Sequence, residues 1–372
     1  MIDPRMSKLA EVLVKHSCGL KSGDKILIEA IDVPHEFPIE CARVTQELGG
    51  HPVIMLKSNQ IDRAMRRHGS LASWELRADV ERLQMENVQC YIGARGNPNV
   101  SEMSDVTAEQ NRVYESTVWR RVHIDVRVPK TRWVVIRWPS ASMAQLAGMS
   151  TEAFEEFYFD VCTLDYGKMG RAMEPLKARL EAADQVHIKG PGDTDLTFSI
   201  KGLPAITCAG RHNIPDGEIF TAPVRESVNG VIQYNTPTMY RGTTHENVRF
   251  VFRDGRIVEA TSTATRELNE VLDSDDGARY VGEFAFGVNP FVKRAMKDTL
   301  FDEKISGSIH FTPGSSYDDC PNGNKSEIHW DIVLIQTPEF GGGEIHLDGE
   351  LLRKDGRFVP KDLHGLNPEN LT

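Results

Sequence analysis

The chain has 372 residues, room for two ordinary domains, and its 40% hydrophobic and 26% charged content is that of a folded globular protein, not a disordered one. Its net charge of −11, with no clustered basic face, argues against nucleic acid or an anionic membrane surface as partner. No apolar run approaches the roughly 20 residues of a transmembrane helix, the N-terminal stretch reads without a signal-peptide core, and six scattered cysteines with no CxxC pair predict reduced thiols in a cytoplasmic protein.

In chain order, Leu9 to His16 has helical apolar spacing and is closed by Gly19 and Gly23. KILIEA (25–30) then reads as a buried strand, 39–48 as a helix ended by Gly49-Gly50, and 52–56 as a second strand. Another helical stretch at 63–83 precedes the strands VQCYI (88–92) and WVVIRW (133–138). Short apolar strands alternating with helices predict a layered α/β domain with a largely parallel sheet. Residues 150–183 read as helical in two pieces, with Ser150-Thr151-Glu152 as an N-terminal signal. Beyond them strands become frequent: 186–189, 196–200, 230–234, 248–252 and 256–260, with Asp254-Gly255 and Asp355-Gly356 as hairpin turns. Only 265–272 and 290–300 read as helices there. The expected architecture is therefore α/β overall, an N-terminal layered α/β domain (1–184) followed by a strand-rich α+β domain (185–372).

Common catalytic signatures are missing: no GxxxxGK[ST] loop, no GxGxxG after the first strand, no HExxH and no GxSxG. His245-Glu246 lacks the second histidine of a zinc-protease helix and reads as a polar loop. The informative stretch is 301–337, an apolar strand with His310, a polar Gly- and Asn-rich loop, and a second apolar strand with His329 and Asp331. Residues two apart on a strand share a face, and a hairpin-like return brings His310 beside them. A lone strand histidine is usually a hydrogen-bonded core residue, so the case rests on the combination: two imidazoles and a carboxylate make a divalent-metal site. Glu218 between two Pro-marked turns, Glu283 in an otherwise apolar strand and Glu303 at a helix end are three more acids in unexpected places. Each alone reads as a solvated acid; together they are enough for two metals.

NIPDGEIFTAP, GEFAFGVNP, DEKISGSIHFTPGSSY and NKSEIHWD resemble, in order, the motifs of the M29 metallo-aminopeptidases, the aminopeptidase T and S group. LVKHSCGLKSGDKILIEA and FEEFYFDVCTLDY are similar to the family's N-terminal half, so the resemblance covers nearly the whole chain. It implies metal ligation by Glu218, Glu283 (bridging two ions), His310, His329 and Asp331, with Tyr317 at the catalytic centre. Glu303 is implied as a further ligand, although the longer spacer to His310 leaves Asp302 as the alternative. The implied activity is removal of N-terminal residues from small peptides with two divalent ions (zinc, cobalt or manganese), in a homodimer whose sites face an enclosed cavity. The rival enzyme reading is an iron-dependent dioxygenase of the 2,5-dihydroxypyridine type, which needs only His310, His329 and Asp331 and gives Glu218 and Glu283 no role.

Overall fold

The computed structural model describes residues 3–372 and divides them into two compact units. The first runs through Thr163 and regains residues 210–214; the second comprises 164–209 and 215–372. The helix Tyr166–Ala182 thus belongs with the second unit, ahead of the boundary expected at 184/185.

In the first unit, strands β1 (Lys25–Ile31), β2 (His51–Lys57), β3 (Cys90–Arg95) and β4 (Arg132–Arg137) form a parallel sheet in the order β2-β1-β3-β4, completed by Asn213–Ile214. The near-continuous apolar runs of β1 and β3 are buried, as a sheet covered on both faces requires. On one face Val53 and Met55 pack with Leu27 and Tyr91 against Trp74, Ala78 and Met85 of the helix Leu71–Glu86. The helical stretch expected at 63–83 is two helices, Asn59–His68 and Leu71–Glu86, separated at Gly69-Ser70, where Ser70 accepts a bond from Ser73 N–H and caps the second. Residues 108–130, to which no element was assigned from sequence, are helical, with a π-helical segment Glu115–Arg127 whose Val118, Val122 and Val126 are buried.

The second unit is strand-rich. An antiparallel sheet carries β5 (Glu218–Thr221), β6 (Val281–Gly287), β7 (Ser308–Pro313) and β8 (Val333–Ile335) in the order β8-β7-β6-β5, flanked by Ile206–Cys208. Registers Gly287↔Glu218, Ala285↔Phe220, Ala285↔His310 and His310↔Val333 align the four strands. One face, with Phe284, Phe286 and Phe311, is aromatic: the ring of Phe198 in the neighbouring eight-stranded sheet sits 5.0 Å from that of Phe284 and 5.1 Å from that of Phe311. Alternation sends the intervening residues, Glu218, His310 and Thr312, to the opposite face. A bulge between Val281 and Glu283 re-aims the start of β6.

Three local expectations change. The helix expected at 290–300 is a loop closed by one helical turn, Thr299–Asp302, because Lys297 takes a left-handed φ of 57° and Asp298 caps that turn through Leu300 N–H. The second strand of the 301–337 stretch begins only at Val333; His329 makes an isolated bridge to Gly314 and Asp331 lies in the link between. His245 is not in a polar loop but buried on the strand Thr243–His245, its ring 5.1 Å from Trp330. No helix among the described residues is long and apolar enough to cross a membrane.

Candidate metal centre

Five of the predicted ligands converge. Glu218, Glu283 and His310 form one group and Glu283, His329 and Asp331 a second, the ligand atoms of each lying within 4.8 Å of one another. Glu283, 2% exposed, belongs to both and divides its oxygens between them. Oε1 is 3.1 Å from His310 Nε2, and Oε2 is 3.1 Å from His329 Nε2. Asp331 Oδ1 is 3.2 Å from His329 Nε2, and Glu218 Oε2 is 3.5 Å from His310 Nε2.

Neighbours orient these groups. His329 Nδ1–H donates to the Ser315 carbonyl at 2.8 Å, which fixes the ring and turns Nε2 inward. Thr312 Oγ1 donates to Asp331 Oδ1 at 2.8 Å. Glu218 is launched from Gly217, whose φ of 129° disfavours any side chain and whose Cβ position would crowd Asn289 Cβ at 3.1 Å. Trp330, between the two ligands His329 and Asp331, is buried, stacks on Tyr240 and donates Nε1–H to Thr238 Oγ1 at 3.0 Å, pinning the link in place.

The electrostatics are those of a carboxylate-rich pocket. Burial opposes a charge on His310, but the bond to Glu283 and the charges of Glu283, Glu218 and Asp331 outweigh it and raise the imidazole to about 9. His329, opposed by burial in the same way, is raised to about 12, chiefly by Asp331 and then Glu283. Asp331 is held far below the usual range, burial being overcome by His329 and His310. Metal ligation needs neutral imidazoles, so an ion taken up here displaces protons and is bound less well as pH falls.

The remaining predicted residues are placed differently. Tyr317 is 46% exposed, its ring 4.6 Å from His329 and 5.4 Å from Phe220, at the open side of the cluster. Desolvation and then the charges of Glu283, Asp331, Glu303 and Glu218 push the phenol up, so it keeps its proton. Glu303 joins neither group; its Oε1 accepts a bond of 2.5 Å from Lys304. Asp302 joins neither group either. It accepts a bond from Met296 N–H at 2.5 Å, and burial raises it to about 7. Sequence reasoning passed over Lys304, Asp216 and Thr312. Lys304 stands four residues ahead of the fully buried β7, a place that does not by itself distinguish it from a solvated lysine.

A family model described as thermophilic metalloprotease (M29) matches residues 2–358. Aminopeptidase T of Thermus thermophilus is 34% identical over 201 residues, 47% of this chain; the match spans about half the length of that relative, 47%. The solved structure of wild-type AmpT from Thermus thermophilus superposes with a TM-score of 0.78 at 22% identity, covering 97% of this chain and 100% of that one. A 2,5-dihydroxypyridine dioxygenase from Pseudomonas putida KT2440 shares the fold at a TM-score of 0.61 and 12% identity, covering 96% and 98%. Matched by the family model over nearly its whole length, the chain belongs to the M29 metalloproteases.

Proposed function

We propose that the protein is a metal-dependent aminopeptidase with a dinuclear centre, acting on small peptides. The observation that carries this is Glu283, a buried carboxylate whose two oxygens face two separate His-carboxylate groups. The donor set suits the ions: Glu218 Oε2 is buried without a hydrogen-bond partner, and imidazole with carboxylate ligation fits zinc, cobalt and manganese alike. Glu218, His310 and Glu283 would hold one ion; Glu283, His329 and Asp331 would hold the other. The two-histidine, one-carboxylate reading of a ring-cleaving dioxygenase leaves Glu218 and Glu283 without a task, and the fold likeness to such an enzyme does not supply one.

Divalent ions bound here would supply Lewis acidity toward a carbonyl oxygen and a lowered pKa for water. The chain's own residues do the rest. Glu283 fixes the separation of the two halves, Ser315 and Thr312 hold His329 and Asp331 in their ligating orientations, and the protonated Tyr317 phenol donates a hydrogen bond to the oxyanion that forms when the peptide carbonyl is attacked. We place the protein in the cytoplasm, where its six free cysteines stay reduced, and propose a homodimer, which sedimentation at micromolar concentration tests: monomer alone would rule it out.

The test of function is cleavage of aminoacyl-p-nitroanilides and short peptides by protein loaded with zinc, cobalt or manganese. Expected are chelator-sensitive release of the N-terminal residue and no cleavage of N-acetylated peptides. In the same assay Tyr317→Phe is expected to lower kcat by about 10²- to 10³-fold with bound metal unchanged, the scale of removing one oxyanion donor. Absence of chelator-sensitive cleavage on every substrate, together with ring cleavage of 2,5-dihydroxypyridine in the presence of Fe(II), would replace this reading by the dioxygenase.

A further inference from the structure

Lys304 is a buried ammonium among acids, 1% exposed, and the metal-centre reading gives it no role. Its Nζ lies 2.7 Å from Glu218 Oε1, 2.5 Å from Glu303 Oε1 and 3.9 Å from Asp216 Oδ1. An ammonium has three donors and no acceptor. Two are engaged by Glu218 and Glu303, leaving the third for the longer approach of Asp216.

The backbone gives Lys304 little freedom. Its carbonyl accepts from Asn289 N–H at 3.0 Å, and its own N–H donates to Phe301 O at 3.1 Å. Asn289 also donates Nδ2–H to the Asp216 carbonyl at 2.8 Å, and Val288 N–H donates to Gly217 O at 2.9 Å. Asn289 therefore buckles the turn that launches Glu218 to the segment that carries Lys304.

We propose that Lys304 is a positioning residue of the metal centre. Its ammonium holds Glu218 by Oε1, so that only Oε2 is presented toward His310, and it engages Glu303 as an anchor behind Glu218, not as a ligand. A lysine merely standing in for an ion would sit among the ligand atoms of the two groups. Among the described residues, however, its ion-pair partners are Glu218, Glu303 and Asp216, with neither Glu283 nor Asp331 among them. The Glu218 oxygen it grips is also the one turned away from His310, since Oε2 is the oxygen 3.5 Å from the imidazole. Outer partners of this kind set the orientation and basicity of a ligand.

This inference rests on the metal-centre reading, and its test separates the two. Zn²⁺ is titrated calorimetrically into the chelator-stripped full chain, with bound ions counted by mass spectrometry and folding followed by circular dichroism. Lys304→Met, of similar length without charge, is expected to bind Zn²⁺ about 10- to 100-fold more weakly, as when other outer partners are removed. Lys304→Arg should recover part of that loss. Glu303→Gln, which still accepts the lysine's bond, should bind nearly as wild type, whereas Glu218→Gln should lose an ion. Unchanged or tighter binding by Lys304→Met would make the lysine a stand-in cation and overturn the proposal, and so would a loss in Glu303→Gln equal to that in Glu218→Gln. Should Lys304→Met not fold, the Glu303→Gln comparison still decides. Wild-type protein that takes up no divalent ion defeats the metal-centre reading itself and this inference with it; ion uptake by wild type with insensitive variants defeats only the role of Lys304.

Discussion

Glu283→Gln is expected to abolish peptide cleavage, lowering kcat/KM by at least about 10³-fold, and to reduce bound metal to one ion or fewer per chain. The substitution is nearly isosteric, so packing on β6 is kept and the effect is electrostatic. The wild-type carboxylate faces His310 Nε2 with one oxygen and His329 Nε2 with the other. An amide can offer one oxygen at most, and its NH₂ would face a second ligand set as a donor, where a cation needs an acceptor. Because Glu283 is shared, the loss should exceed that of a residue serving one group, such as Asp331→Asn. Metal content by mass spectrometry and turnover of an aminoacyl-p-nitroanilide check both parts. Two bound ions in an inactive variant would separate Glu283 from ligation, and unchanged turnover would remove it from the site.

Glu283 was legible in the sequence because it breaks a rule: a carboxylate inside YVGEFAFGV has no business in a buried strand unless it meets a cation. His310 stood out as a histidine in an apolar strand and Glu218 as an acid between two Pro-marked turns, and it is the sheet registers that put both opposite the Phe284 and Phe311 face. The parallel strands of the first unit were equally plain as apolar runs. The failures have local causes. In 108–130 Val118, Val122 and Val126 recur every fourth position and form a short helical stripe that was legible but left unassigned. The strand expected through His329 fails because Trp330 is drawn into a pocket beside Tyr240 and Thr238, a tertiary contact no local pattern encodes. Lys304 was invisible for a related reason. A lysine reads as solvent-facing until the acids that surround it, distant in sequence at Asp216 and Glu218, are brought to it by the fold.

The largest stability effect is expected in the first unit, from Lys57→Met. Lys57 closes β2, and its Nζ lies 2.8 Å from Glu29 Oε2 and 3.0 Å from Glu81 Oε2, both buried. Arg77 completes the network through Glu81 at 2.7 Å and Asp62 at 2.7 Å, and Tyr91 donates its hydroxyl to Glu29 Oε1 at 3.0 Å. Removing the ammonium leaves Glu29 a buried charge with, among the described residues, only Tyr91 donating to it, and breaking a buried pair from one side costs about 3–5 kcal/mol. The pH dependence identifies the cause. Burial raises the Glu29 carboxyl, but Lys57, with help from His123 and Arg95, holds it down at about 2 against an ordinary 4.5. A depressed carboxyl contributes stability that is fully present above about pH 4.5 and is lost as pH falls toward 2, here on the order of 3 kcal/mol. In Lys57→Met burial is no longer opposed by the ammonium, so Glu29 takes up a proton at higher pH than in wild type and relieves its own penalty. The stability difference between the two proteins should therefore be largest at neutral pH and shrink steadily as pH falls from about 5 to 3. Urea unfolding followed by tryptophan fluorescence, with Trp74 and Trp133 reporting on this unit, measures it. A difference that stays constant across that range would show that Lys57 acts through packing of its aliphatic stem and not as the counter-charge of Glu29.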